Sequence, residues 1–442
     1  STLLVKSSIS LFTLVGLVFA ENMDLVDPDY DFVKDRSAPE REPYWDDMYT
    51  HEMLGYAPYN GLLVSKGLFH DGNISGKYSE GQEMRFKREG ARKFLRFEEE
   101  KYPNTVMWGD CGAFAYANQE VPPFSVEEII EFYADGQFTH GCSPDHIIFD
   151  FVDTEFEISF DDQEVKRRQQ ITLENAAEFI EKANKRIGNH FTPVGVIHGW
   201  TPKTMADAAE KLIKMGYKYV ALGGMVPLNA DQIKSALNAV RAVVPKETEV
   251  HILGFAKADR VHEFIGNGLN SVDTTSPLLR AFKDSRTNYY TWTGDNFEYF
   301  TAIRIPQVLS SNPLKKMVQS GQLELEKAVK LEKQAIREVR AFDKGETTTK
   351  NTLEVLRDYW ALINSDKAKT NPTKVNKEIE LLTSRVEPTL NKQPWKYCKC
   401  KICQQAGVEV IIFRGNNRNR RRGMHNLSVY GDRIRELKGE LI

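Results

Sequence analysis

VGVIHGWTPKTMADAAEKLIKMGYKYVAL, residues 194–222, decides the fold. A short apolar run over 194–199 carries a histidine and a glycine at its end. An amphipathic helical stretch over 202–215 follows, then a second apolar run over 217–222. Strands apolar on both faces, joined by a helix, belong to a parallel sheet covered by helices. The unit recurs along the chain. Further candidate strands fall at 105–109, 146–151, 249–254 and 270–272, with candidate helices at 125–134, 173–186, 229–244 and 260–265. In 229–244, Ile233, Ala236, Leu237, Val240 and Val244 recur at helical spacing. The number of units predicts an α/β fold of the (β/α)8 TIM-barrel type rather than an open doubly wound sheet. Polar residues at strand ends agree: Asp110, Asp150, His198 and Asp273 stand where a barrel gathers its chemistry.

Beyond the barrel, residues 315–385 are charged and largely helical, with Leu325, Ala328, Leu331, Ala335 and Val339 at rough helical spacing. They read as a solvated helical insertion without chemistry of its own. The chain is thus expected to divide into 1–103, an N-terminal extension with the first barrel elements, then 104–312, the main part of the barrel. A charged helical region at 313–393 and a zinc-binding subdomain with an arginine-rich loop at 394–442 complete it.

The last segment earns its label from its cysteines. Only five occur in the chain, and three of them are Cys398, Cys400 and Cys403; His425 follows. C-x-C-x2-C…H supplies the four donors of a tetrahedral Cys3His zinc site. With every position filled by protein, one Zn2+ per chain would be structural. Between the last cysteine and the histidine lie Arg414, Arg418, Arg420, Arg421 and Arg422. Guanidinium groups anchored by a metal knuckle suit phosphate binding; the bland alternative is a solvated basic turn.

Composition excludes little. A net charge of -3 and 27% charged residues give no global sign of nucleic-acid binding. Cys111 and Cys142 could pair in principle, but a thiolate zinc site favours a reducing compartment, so a cytoplasmic location is expected. The apolar run from Ile9 to Ala20, after Lys6, has the shape of a secretory signal and is too short to span a bilayer. We read 14–20 as a buried first strand instead, with an artefact of the start site as a further alternative. No other segment suits a membrane helix.

Two carboxylates at strand ends, Asp110 in WGDCGAF and Asp273 in SVDTTSP, suit chemistry at an acetal-like carbon: one as nucleophile, the other as acid or base. Singly, each would more often be a helix cap or turn residue. Asp145, His146 and Asp150 form an acidic cluster able to hold a metal or to recognise a base. The Gly223-Gly224 pair could approach a planar ligand through its backbone.

In order, Asp110-Cys111-Gly112-Ala113-Phe114, Phe149-Asp150, Ala221-Leu222-Gly223-Gly224, His251–Gly254 with Val272-Asp273, and the Cys398, Cys400, Cys403, His425 set resemble the tRNA-guanine transglycosylase superfamily. That resemblance implies a zinc-containing barrel that swaps guanine for a 7-deazaguanine. It casts Asp273 as nucleophile and Asp110 as the base-binding proton acceptor. Asp150, His198, Gly223 and Gly224 become the groups that recognise the base, and the five arginines hold phosphates. His198 stands where the tRNA enzymes have glutamine, and Met225-Val226-Pro227-Leu228 replaces their usual sequence. With 61–66, 222–228, 275–278 and 418–423, this is most similar to the DNA-modifying branch, which inserts bases such as preQ0 into DNA. DNA is therefore the preferred partner, with a 7-deazaguanine as the incoming base. A protein that opens the duplex and a second copy of the chain are further implied partners.

Three other readings stand beside it. One is a tRNA enzyme of the queuosine or archaeosine type; a chain ending at Ile442, without an added RNA-binding domain, disfavours the archaeal kind. Another is a non-catalytic zinc-bearing partner subunit, which the presence of both aspartates argues against. The third is a metal-dependent hydrolase using Asp145, His146 and Asp150.

Overall fold

The computed structural model describes residues 16–69, 76–283 and 286–437. The part of the signal-like run before residue 16 lies outside them. Two compact units emerge. The first comprises residues 1–23, 57–276 and 431–442, and the second 24–56 and 277–430. The boundaries read from sequence do not follow this division. The main run of the barrel unit stops at 276, short of 312, and the helical and cysteine-bearing segments fall in one unit up to residue 430.

The first unit is a closed parallel barrel of eight strands: β1 (Gly16–Ala20), β2 (Gly61–Ser65), β3 (Val106–Asp110), β4 (His140–Cys142), β5 (Thr192–Ile197), β6 (Tyr219–Leu222), β7 (Glu249–Ile252) and β8 (Ser271–Asp273). β1 closes the ring, pairing with β2 (Phe19 opposite Leu62) and with β8 (Val18 opposite Asp273). The apolar run ending at Ala20 is thus a barrel strand over 16–20. Inside, Val18, Leu63, Trp108, Cys142, Val194, Val196, Tyr219 and Ala221 fill the lumen as one core.

Local signals fix the helices. Pro202–Met215 starts on Thr201, whose hydroxyl accepts from the Thr204 amide at 3.0 Å, with proline in its first turn. It ends at Gly216, whose φ of +105° a side chain would resist. Ala230–Val243 is capped in the same way by Asn229 and Gln232.

One expected strand is absent. Residues 146–151 form no strand and pair with none in the sheet, and the fourth strand is the shorter His140–Cys142. Pro144 starts the run without a donor. Its backbone bonds then go to side chains: the His146 amide to Thr172 Oγ1 at 3.0 Å, and Arg168 to the Ile147 carbonyl at 2.8 Å. Ile148 packs instead with Val165 and Trp200.

The position of β3 depends on glycines. Gly109 and Gly141 are register partners on β3 and β4, and a Cβ on either would lie 2.5–2.6 Å from the Tyr133 ring of helix Val126–Gly136. The Tyr133 hydroxyl donates to the Cys142 carbonyl at 2.6 Å.

The second unit is mainly helical. Leu325–Asp343, Thr349–Ile363 and Pro372–Lys392 bury Ala335, Val339, Leu356, Trp360, Val386 and Leu390 in a core shared with Trp395, Ile402 and Cys403. The charged helices are therefore the body of this unit and not a solvated appendage. Its short sheets pair Tyr289–Trp292 with Phe297–Phe300, and Ile303–Arg304 with Ile412–Phe413. Val26, Met53 and Leu54, from the segment between β1 and β2, also belong to this core.

Gly141→Ala should lower stability by about 1–3 kcal/mol, since its methyl group has no space beside Tyr133 and Phe191. A chemical-denaturation midpoint equal to wild type would contradict that packing.

Candidate active site and metal centre

The C-terminal ends of the barrel strands carry the polar residues. Asp273, the last residue of β8, is 7% exposed. His251 Nε2 faces its Oδ1 at 2.8 Å, and the Gly254 amide donates to its Oδ2 at 3.1 Å. His251 Nδ1 lies 2.6 Å from Ser271 Oγ, which lies 2.6 Å from the Tyr219 hydroxyl. The imidazole also stacks on Trp108, 4.3 Å between centroids. Because Nε2 faces a carboxylate, it carries the proton, and each carboxylate oxygen keeps a lone pair in one fixed direction. In the sequence, His251 stands out only as part of a motif. Its signal was a polar residue at an inward position of a strand whose neighbours, Val250 and Ile252, are apolar.

Asp110 ends β3. Its Oδ2 accepts from the Gly112 amide at 3.1 Å, and Gly112 has φ +85°. An oxygen of Asp110, the Cys111 sulfur and an oxygen of Asp145 all lie within 4.8 Å of one another. Burial, then the charge of Asp145 and, more weakly, that of Asp273, raise Asp110 to about 7. Cys111 is pushed well above the usual thiol range by burial and by Asp145, so it stays protonated and donates to Asp145 Oδ1 at 2.9 Å. Cys111 and Cys142 are both free thiols.

Asp145 is a further aspartate of this cluster. It lies just beyond β4, buried, with Oδ2 2.5 Å from His198 Nε2. Asp150 is exposed, and no hydrogen bond or ion pair ties it to the aspartate cluster among the described residues. His198 is 1% exposed, with Nδ1 facing the Ile148 amide at 3.5 Å; both ring nitrogens are engaged inside the protein. Gly223 and Gly224 make room for this arrangement. A Cβ on Gly223 would lie 2.4 Å from the His198 ring, and one on Gly224 2.1 Å from the Ile148 carbonyl oxygen. The Asp145, His146 and Asp150 set does not converge, because His146 turns its Nε2 to the Glu120 carbonyl at 3.0 Å. Beside the aspartates the surface is apolar. Phe114 is 57% exposed, with its ring 5.6 Å from that of Phe149, and Gly254 lies close to Val226 and Phe114.

In the second unit, the His425 Nδ1 lies 3.3, 3.5 and 3.2 Å from the sulfurs of Cys398, Cys400 and Cys403. Ligands at about 2.3 Å (sulfur) and 2.0 Å (nitrogen) around one tetrahedral ion would stand about 3.5 Å apart, so the four donors fit a metal ion. His425 Nε2 donates to the Tyr290 carbonyl at 2.8 Å, which leaves Nδ1 free to ligate, and its ring stacks on Tyr289 at 3.9 Å.

The arginines do not form an exposed loop. They lie on or just before helix Gly415–Leu437, and Arg414, Arg418, Arg421 and Arg422 are buried. Arg414 bridges Asp35 and Glu332, each at 2.8 Å, and Arg418 bridges Asp35 and Glu409. Arg421 donates to the Asp27 carbonyl, and Arg422 to the carbonyls of Val410, Ile412 and Ala281. Arg420 donates to the Leu25 carbonyl. These donors are spent within the second unit, so the phosphate-binding role expected of the cluster has no free guanidinium among the four buried residues.

No family model matches the chain. It is 39% identical over 418 residues to a DNA-guanine transglycosylase of Salmonella montevideo, covering 94% of this chain and 95% of that protein. No helix among the described residues is long and apolar enough to cross a membrane.

Two outcomes are expected. The folded chain holds the Asp110 proton up to about pH 7, whereas the unfolded chain releases it near 3.8. Stability therefore falls as pH rises between those values, and the penalty persists above them. Asp110→Asn should melt higher than wild type at pH 8, with the gain vanishing towards pH 4. Elemental analysis should find one tightly held metal ion per chain, and His425→Ala should lose it and melt lower.

Proposed function

The chain belongs to the family of the DNA-guanine transglycosylases, and from that premise we propose that it exchanges guanine in DNA for a 7-deazaguanine base through a covalent intermediate on Asp273. One observation carries the reading. A carboxylate held rigidly by His251 and Gly254 shares a barrel mouth with a second carboxyl group raised to about 7.

The Asp273 carboxylate attacks C1′ of the target nucleotide, and the bond from C1′ to guanine N9 breaks. Asp110, which in the free enzyme holds its proton up to about pH 7, gives the departing guanine its proton. Asp273 is then an uncharged ester. Having given up its proton, Asp110 is left as a carboxylate, and the loss of the nearby Asp273 charge, a minor contribution, favours that form. It takes the proton from the ring nitrogen of the incoming base, which attacks C1′ and releases Asp273. Two displacements at one carbon retain configuration, and one glycosidic bond replaces another without an energy source. Phe114 and Phe149 offer a planar base an apolar face. Asp145, held by His198 and Cys111, replaces Asp150 in our assignment of the carboxylate that recognises the base. The Gly223-Gly224 pair lets His198 approach closely enough to hold Asp145. The target base must be unpaired or flipped for C1′ to be reached.

Zinc is the ion we assign to Cys398, Cys400, Cys403 and His425, because the donors are soft and no position stays open. When bound, it cross-links the second unit and takes no part in the exchange.

Asp273→Ala should abolish release of labelled guanine from DNA while DNA binding survives; wild-type exchange in this variant would exclude the covalent route. His251→Phe should lower kcat by about 10- to 100-fold with little change in the KM for DNA, and His251→Gln should recover part of the loss. In ping-pong kinetics, kcat/KM for DNA should fall as pH rises through about 7, where Asp110 loses its proton. For the incoming base it should fall only at lower pH. Parallel profiles for the two substrates would count against Asp110 as the proton carrier. Labelled deazaguanine should enter DNA and not tRNA.

A further inference from the structure

The second unit contains a cavity of ≈ 300 Å³ between helix Pro372–Lys392 and the strand pair Ile303–Arg304 and Ile412–Phe413. Its floor is the buried Trp360, whose Nε1 is spent on the Arg304 carbonyl at 2.8 Å, so the indole offers carbon only. Arg304 and Arg385 line its sides. Neither guanidinium has a hydrogen-bonding or carboxylate partner among the described residues; Arg304 rests only over the Phe413 ring, 5.6 Å from its centroid. The contrast within the same unit is sharp, because Arg340, Arg357, Arg414 and Arg418 all reach carboxylates. Glu378, Leu382 and Arg385 follow one another along one face of the helix, so one carboxylate stands at the same cavity.

We propose that this cavity binds one nucleotide unit of a nucleic-acid strand, with the phosphodiester between Arg304 and Arg385 and the sugar or base against Phe413 and Leu382. Three features select that ligand. Guanidinium forks without acceptors match phosphate oxygens. An apolar wall beside them matches the rest of a nucleotide. Two arginines and one glutamate leave a single positive charge, which suits a diester monoanion better than the dianion of a free nucleotide. The site rests on the reading that the substrate is a polynucleotide, and it assigns strand binding to a part of the second unit other than the buried arginine cluster.

The test uses the full-length, metal-loaded protein and a fluorescent guanine-containing oligonucleotide, with affinity measured across a salt series. Arg304→Ala and Arg385→Ala should each weaken binding on the order of 10-fold at low salt. Each should also flatten the plot of log K against log salt by about 0.7–0.9, the loss of one phosphate contact. Both side chains are at least partly exposed, so the variants should melt like wild type. Glu378→Gln should act in the opposite direction and tighten binding, which a mere folding defect would not do. The KM for DNA should rise in the arginine variants while kcat holds. Deoxyguanosine monophosphate should compete poorly; efficient competition that is lost in Arg385→Ala would mean a free nucleotide is the ligand and overturn the strand assignment. Unchanged salt slopes in variants that still exchange guanine would overturn the site and leave the proposed function standing. A wild-type protein that neither binds nor exchanges guanine in DNA would overturn both.

Discussion

The contact between His251 and Asp273 is the one on which the barrel mouth depends. A short side chain at the end of a strand would otherwise rotate, whereas a carboxylate held still presents its lone pairs in fixed directions. Here one oxygen is held by an imidazole and the other by a backbone amide. The imidazole is held in turn by Ser271 and by its stacking on Trp108. Those residues belong to the barrel interior, so the packing that closes the barrel also aims the carboxylate.

Asp110 depends on the opposite principle. It is kept near neutrality by an environment that penalises its charge, through burial and through the neighbouring Asp145. One aspartate is stabilised in place and the other is kept easy to protonate. Two such carboxyl groups on different strands of one barrel are set apart by their environments, without any difference in residue type.

How much of this could be read from the chain varies with the range of the interactions. The barrel was legible because strand and helix periodicity are local, and Asp110 and Asp273 were legible because they close strands. The expected strand at 146–151 failed because its backbone partners, Thr172, Arg168 and His198, come from distant residues that no local pattern reveals. The same tertiary contacts bury Asp145, which no local pattern marks. The arginine cluster misled for a similar reason. Density along the chain suggested a basic surface, whereas Asp35, Glu332 and Glu409 convert it into buried ion pairs. The cluster of possible metal donors was legible because three of its four members are neighbours in sequence.

The segment between β1 and β2 has a consequence for biosynthesis. Asp35 leaves the ribosome long before Arg414 and Arg418, and until they are made its carboxylate has no guanidinium to meet. The second unit therefore cannot complete its interior during translation, and a nascent chain halted before residue 414 would expose the apolar surface around Val26, Met53 and Leu54. Maturation is in this sense a terminal event, and truncated products should be substrates for chaperones and proteases rather than partially working enzymes.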